Sequence, residues 1–147
     1  MKLLLNVDVV LDVLLERQPY AEPAAGLWTL VERGQAEGFL AAHGLAAIHE
    51  LAARHRDTKY ARQVLQDLVT VFQVAAVDWA VTRRALALTW RDFDNAVCAA
   101  AAEACGCDAI VTRDPEAFPT SSVRAIDPAT ALAWIVARKT SQPALVS

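Results

Sequence analysis

The sequence predicts an α/β fold: a three-layer α/β/α sandwich around a central, mostly parallel sheet of four or five strands. Three observations point there. Short apolar runs alternate with longer helical patterns along the chain, the order that yields parallel sheets with helices on both faces. Two of those runs, Lys2 to Leu5 and Ala109 to Val111, are apolar without alternation, as strands covered on both faces should be. Each runs directly into acids: Asn6-Val7-Asp8 follows the first, and Thr112-Arg113-Asp114 follows the second. The carboxyl ends of parallel strands share one crevice, which is where open α/β folds bind ligands.

Each element has its own signal. Lys2 to Leu5 is the first strand, and a helix starting near Asp8 carries Val9, Val10, Val13 and Leu14 until it breaks before Pro19. A second helix covers about Glu22 to Arg33, with Gly34 as its C-terminal stop. Gly38 to Ala41 is a short strand. Leu45 to His55 and Lys59 to Val71 read as consecutive helices parted by the polar Arg56-Asp57-Thr58, with Thr58 as N-cap of the second. A strand near Phe72 to Val74 and a helix over Trp79 to Leu88 follow. Asp92-Phe93-Asp94-Asn95 opens an Ala-rich helix to Cys105, closed by Gly106. After Ala109 to Val111 come a turn at Asp114-Pro115, a strand over Val123 to Ile126, and a last helix from Pro128 to about Arg138. Residues 1–138 are read as one domain, without repeat or linker, and residues 139–147 as a disordered tail.

Composition narrows the function classes. A chain of 147 residues that is 55% apolar has ample material for one core. A net charge of -3 and a pI near 5.5 argue against gripping nucleic acid by bulk electrostatics, leaving room for a local basic strip. Cys98, Cys105 and Cys107 lack the paired spacing of a zinc module and read as reduced, mostly buried small residues of a cytoplasmic protein. The N-terminal Leu-rich stretch, interrupted by Asn6, Asp8 and Asp12, does not read as a signal peptide, and no apolar run is long enough to span a membrane.

The acids are the candidate site. Carboxylates gathered at one crevice repel each other unless they hold a hard divalent cation. Each has a plain structural alternative. Asp92 and Asp114 sit where helix N-caps sit, and Asp127-Pro128 repeats the Asp114-Pro115 arrangement with no chemistry assigned to it. Glu50 has the small residues Ala46, Ala47 and Ala53 about a turn away, a face that could pack close to the sheet; its alternative is an exposed i,i+4 pair with Arg54. His43, His49 and His55 recur every six residues, each turned by about 240° from the last on a helix. They cannot share a face, so a His-based metal site is not expected. Trp28, Trp79, Trp90 and Trp134 are read as core or interface anchors.

In order and spacing, Leu-Leu-Leu-Asn-Val-Asp-Val-Val-Leu-Asp-Val-Leu-Leu, Ala-Ile-His-Glu, Asp-Phe-Asp-Asn-Ala and Ile-Val-Thr-Arg-Asp-Pro-Glu-Ala-Phe resemble the PIN domain, over about Met1 to Trp134. The resemblance implies a compact α/β/α fold, an acidic pocket for Mg²⁺ or Mn²⁺, hydrolysis of single-stranded RNA, and, as in many bacterial members, a toxin neutralised by an antitoxin. Two departures stand out: Asn6 and Asn95 occupy positions where the family usually has Asp, and Asp8 replaces a usual Asn. Glu50 and Asp114 are the matching acids. Asp8 can occupy the space of the first acid, since residues two apart in extended chain point the same way. Asp92 can approach the place of Asn95, since residues three apart on a helix share a face.

The expected catalytic set is therefore Asp8, Glu50, Asp92 and Asp114, with Asp94 and the neutral carbonyls of Asn6 and Asn95 as further metal ligands. Arg54, Arg56 and Arg113 are expected to guide the RNA backbone, with Lys59 and Arg62 read rather as solvated helix surface. A homodimer is expected from the apolar content. The alternative function is a PIN-like domain that has lost catalysis and binds RNA or a protein without cutting. A phosphotransfer domain is disfavoured, because no catalytic Lys follows a later strand.

Overall fold

The computed structural model of the protein describes residues 1–141. Five strands and seven α-helices alternate: β1 (Lys2–Leu5), α1 (Val7–Leu14), α2 (Ala21–Glu32), β2 (Glu37–Ala41), α3 (Ala42–His55), α4 (Thr58–Val71), β3 (Gln73–Ala75), α5 (Trp79–Leu88), α6 (Phe93–Cys105), β4 (Ala109–Val111), β5 (Arg124–Ile126) and α7 (Pro128–Ser141). A single 3₁₀ turn, Pro115–Ala117, lies between β4 and β5. The sheet order is β3-β2-β1-β4-β5, and every pairing is parallel.

Residue alternation along the central strands builds the three layers. Leu3 and Leu5 of β1 with Ala109 and Val111 of β4 face one core, where Val9, Val10, Leu27, Ile48, Leu68 and Ile135 pack from five helices. Leu4 and Ile110 face the other, covered by α5 and the buried Ala96–Ala102 run of α6. The small alanine side chains let α6 lie close to the sheet on one side and to α5 on the other. Gly38 is required on β2: a Cβ there would come 2.5 Å from Phe72 Cδ1 and 2.8 Å from Val31 Cγ1.

The predicted elements are present, with shifted edges. α3 begins at Ala42, three residues before the predicted start, because β2 passes into it with no loop between. α4 is capped by Asp57, which accepts from the Tyr60 amide at 2.7 Å, rather than by Thr58, its first helical residue. α7 continues through residue 141, so residues 139–141, expected in the tail, are helical; 142–147 lie outside the described residues. Among the described residues no helix is long and apolar enough to cross a membrane.

The chain leaves β1 toward β2 and β3 on one side and reaches β4 and β5 on the other. The carboxyl ends of β1 and β4 thus form the switch point of the sheet, the crevice where such folds place ligands.

Candidate functional site

Asn6 and Asp8 enter that crevice because the chain turns from strand to helix between them. The Asn6 amide donates to the Val111 carbonyl at 2.9 Å, extending the β1–β4 ladder by one residue before α1 starts. Thr112, fully buried one residue past β4, is the hub of the switch point. Its hydroxyl accepts from Asn6 Nδ2 at 3.5 Å and from the Asp114 amide at 3.2 Å, and donates to Asp8 Oδ2 at 3.2 Å. The Arg113 amide donates to the same Asp8 oxygen at 3.1 Å.

The other Asp8 oxygen, Oδ1, is buried without a hydrogen-bond partner. A carboxylate with one oxygen fixed by two donors and the other left bare in the interior is costly for the protein alone. Burial pushes the Asp8 carboxyl above its usual range, and the Arg113 and Thr112 hydrogen bonds offset only part of that. A cation against Oδ1 would remove the cost, so Asp8 fits a metal ligand.

The start of α6 supplies the opposite wall. Asp92 is its N-cap, accepting from the Asn95 amide at 3.0 Å, so the capping alternative for Asp92 holds and its other oxygen is free of that bond. Asp94, in the first turn, accepts from His43 Nε2 at 2.5 Å, which holds its carboxyl below the usual range. Asn95 Nδ2 turns toward the Ala117 carbonyl at 3.5 Å. One turn on from Asp94, Cys98 Sγ lies 3.5 Å from Asn6 Oδ1 and 3.8 Å from His43 Nε2. Burial pushes the Cys98 thiol far up, and the charges of Asp94, Asp8 and Asp92 add to the effect.

Asp114 completes the set by sequence position, two residues past Thr112. Its exposed side chain caps nothing. Asp127, in the same Asp-Pro setting, accepts from the Thr130 amide at 2.7 Å and is a plain helix cap. The two look alike in sequence and differ in structure, and the difference leaves the Asp114 carboxylate available.

Glu50 is not packed against the sheet. The buried face of α3 is Gly44, Ile48 and Ala52, not the alanines at 46, 47 and 53. Glu50 is two residues from both Ile48 and Ala52, about 200° around the helix from each. It is exposed and bound to Arg54 at 2.6 Å, the surface pair that was its alternative. Arg54 is thereby engaged, and Arg56 stacks on Tyr60 at 4.6 Å. Arg113 is not a free guide for RNA either: its guanidinium is held by buried Asp12 and lies 3.9 Å over the Tyr20 ring.

His43, Cys98, Thr112 and Asp12 are the site residues that sequence reasoning missed. The six-residue histidine spacing does exclude a shared face, but a single histidine in the first turn of α3 needs none. The four-residue spacing of Asp94 and Cys98, one helix turn, was the available signal.

The PIN domain family profile matches residues 2–116. No curated protein matches the sequence significantly. Among solved structures, the fold is similar to VapBC2 from Rickettsia felis, bound to a DNA fragment from their promoter, with TM-score 0.66 and 12% identity over 86% of this chain and 98% of that one. FitAcB from Neisseria gonorrhoeae gives 0.63 and 20%, covering 86% and 97%. VapC20 of Mycobacterium tuberculosis, described as a sarcin-ricin loop cleaving toxin, gives 0.64 and 16%, covering 83% and 98%. With the profile running from β1 to the turn after β4, through every pocket residue described above, the chain belongs to the PIN domain family.

Proposed function

We propose that this PIN domain is a divalent-metal-dependent endoribonuclease that cleaves single-stranded RNA and serves as the toxin of a toxin–antitoxin pair. The observation that carries the reading is the bare, buried Oδ1 of Asp8, at a strand end where Asn6 meets Cys98, one turn past Asp94. Family membership supports a nuclease, and likeness to a described toxin motivates the toxin assignment.

Asp8, Asp114 and an acid of the 92–94 pair would hold one or two ions of Mg²⁺ or Mn²⁺, with Asn6 and Asn95 as neutral carbonyl donors. When bound, such ions lower the pKa of water to make a hydroxide nucleophile and offset charge on the scissile phosphate, leaving a 5'-phosphate and a 3'-hydroxyl. The chain's own part is positioning. Thr112 and the Arg113 amide fix Asp8, and buried Asp12 holds the Arg113 guanidinium.

A second reading has specific support. Asn6 and Asn95 leave less negative charge in the pocket than the family's usual acids, and Arg54 engages Glu50, which favours a domain that binds RNA or a protein without cutting. Metal-supported cleavage of single-stranded RNA decides between them. The wild-type chain is expected to cleave slowly with Mn²⁺ or Mg²⁺. Asp114→Asn should lower the rate at least about a hundredfold, the upper end of what losing a support of a metal ligand costs. Asn6→Asp with Asn95→Asp should raise it. Cleavage by the restored chain but not by the native one would establish the non-cutting reading.

An antitoxin would block the pocket most simply with an Arg laid against Asp8 and Asp114, supplying the positive charge that metal would supply. Co-expression with the neighbouring reading frame is expected to yield a complex. A chain that forms none and is harmless alone would remove the toxin assignment and leave the nuclease assignment standing.

A further inference from the structure

From the cluster at the α3–α6 junction, we infer that this chain holds a thiophilic divalent cation of the Zn²⁺ class on His43 Nε2, an Asp94 carboxylate oxygen and Cys98 Sγ. The three ligand atoms lie within 4.8 Å of one another. In a tetrahedral site with zinc bonds of roughly 2.0–2.3 Å, ligand atoms sit about 3.3–3.8 Å apart. The His43–Cys98 separation of 3.8 Å is already there. The 2.5 Å His43–Asp94 contact is a hydrogen bond, and it opens once a metal takes the place of the shared proton.

The donor chemistry selects the ion. One imidazole nitrogen, one sulfur and one carboxylate oxygen suit Zn²⁺ or Co²⁺, whereas Mg²⁺ wants oxygen alone. Asn6 Oδ1, 3.5 Å from the sulfur, or water is available as the fourth ligand. Each ligand comes from a fixed place. Asp94 and Cys98 are one turn apart on α6, His43 is in the first turn of α3, and Asn6 ends β1, so no loop has to close. The cluster is graded from exposed Asp94 through half-buried His43 to buried Cys98, which gives an ion an entry from solvent and a dry inner ligand. Binding converts the Cys98 thiol to a metal-bound thiolate, and the thiol proton leaves to solvent. Its imidazole and sulfur donors set this site apart from an all-oxygen Mg²⁺ pocket, with which it can share Asp94 and Asn6, and its occupancy does not depend on RNA cleavage.

Cobalt titration of the chelator-treated full-length chain tests this by absorbance. Thiolate-to-Co²⁺ charge transfer is expected in the near ultraviolet together with visible d–d bands, and Zn²⁺ should bleach both while excess Mg²⁺ leaves them. Cys98→Ser should remove the charge-transfer band. His43→Ala and Asp94→Asn should each weaken Co²⁺ binding at least about tenfold. A Cys105→Ser/Cys107→Ser variant should keep the full spectrum. No charge-transfer band from the folded wild-type chain, checked by circular dichroism, overturns the inference, as does a band that survives Cys98→Ser. Because the readout is spectral, the two readings fail separately. A chain that binds Co²⁺ but cuts no RNA keeps this site and loses the nuclease, and a chain that cuts with Mg²⁺ but shows no band does the reverse.

Discussion

Asp8 is where the pocket's chemistry works against the stability of the fold. Its two hydrogen bonds reach one oxygen only, and burial of the other dominates. A carboxyl whose folded pKa is raised holds its proton more tightly folded than unfolded. Its contribution to stability is therefore fullest in acid and falls as pH rises from the ordinary 3.8 through the higher folded value. Asp8→Asn keeps an acceptor for Thr112 and Arg113 and removes the buried charge. In chelator, the variant is expected to melt at a higher Tm than wild type at neutral pH, with the difference closing as pH falls toward 3.8. Equal or lower Tm at neutral pH would mean that Asp8 is not a buried, under-satisfied anion. Saturating divalent metal should reverse the order by stabilising only the chain that binds it.

Among the elements, α3 and α4 show how a boundary decides what a helix presents. Because α3 starts directly from β2, His43 falls in its first turn beside the strand ends, while Glu50, two turns on, is carried about 10 Å along the axis. At the next junction, Asp57 satisfies the Tyr60 amide and Thr58 is left inside the helix. Urea unfolding separates the two: Asp57→Ala should cost about 1 kcal/mol, the usual value of an N-cap, and Thr58→Ala only a few tenths. The reverse order would return the cap to Thr58. The same logic distinguishes Asp92, a cap that also borders the pocket, from Asp114, which caps nothing.

For the whole molecule, the open question is what covers its apolar surface. Trp79 and Leu86 are 74% and 60% exposed, and both project from one face of α5, seven residues apart. Val74 on the edge strand β3 is also exposed. Exposed large apolar side chains and an edge strand are both features of partner surfaces. We expect the chain to self-associate through this region as a dimer. Light scattering should give a dimer mass at high micromolar concentration, and Trp79→Ser with Leu86→Ser should reduce it to a monomer. A strictly monomeric wild-type chain would refute the homodimer.

The sequence by itself determined the layers. Lys2–Leu5 and Ala109–Val111 could only be doubly covered strands, and the strand–helix alternation left a parallel sheet as the natural solution, because burial pattern and chain connectivity are local and directly written. It also brought Asp8 and Asp114 to one edge, since both follow strands at once. Only the tertiary structure decided which side chains meet there. The packing of α3 depends on which of its faces the core takes: Gly44, Ile48 and Ala52 are buried, which leaves His43 and Glu50 on one stripe about two turns apart, His43 against Asp94 and Glu50 against Arg54. Likewise, Asp114 and Asp127 share a motif, but the amide three residues past Asp114 goes to its main-chain carbonyl, while the one past Asp127 goes to its carboxylate. The Asp94–Cys98 spacing is local, but the meeting of sulfur and imidazole is not: His43 and Cys98 are 55 residues apart, and only the packing of α3 and α6 brings them into contact.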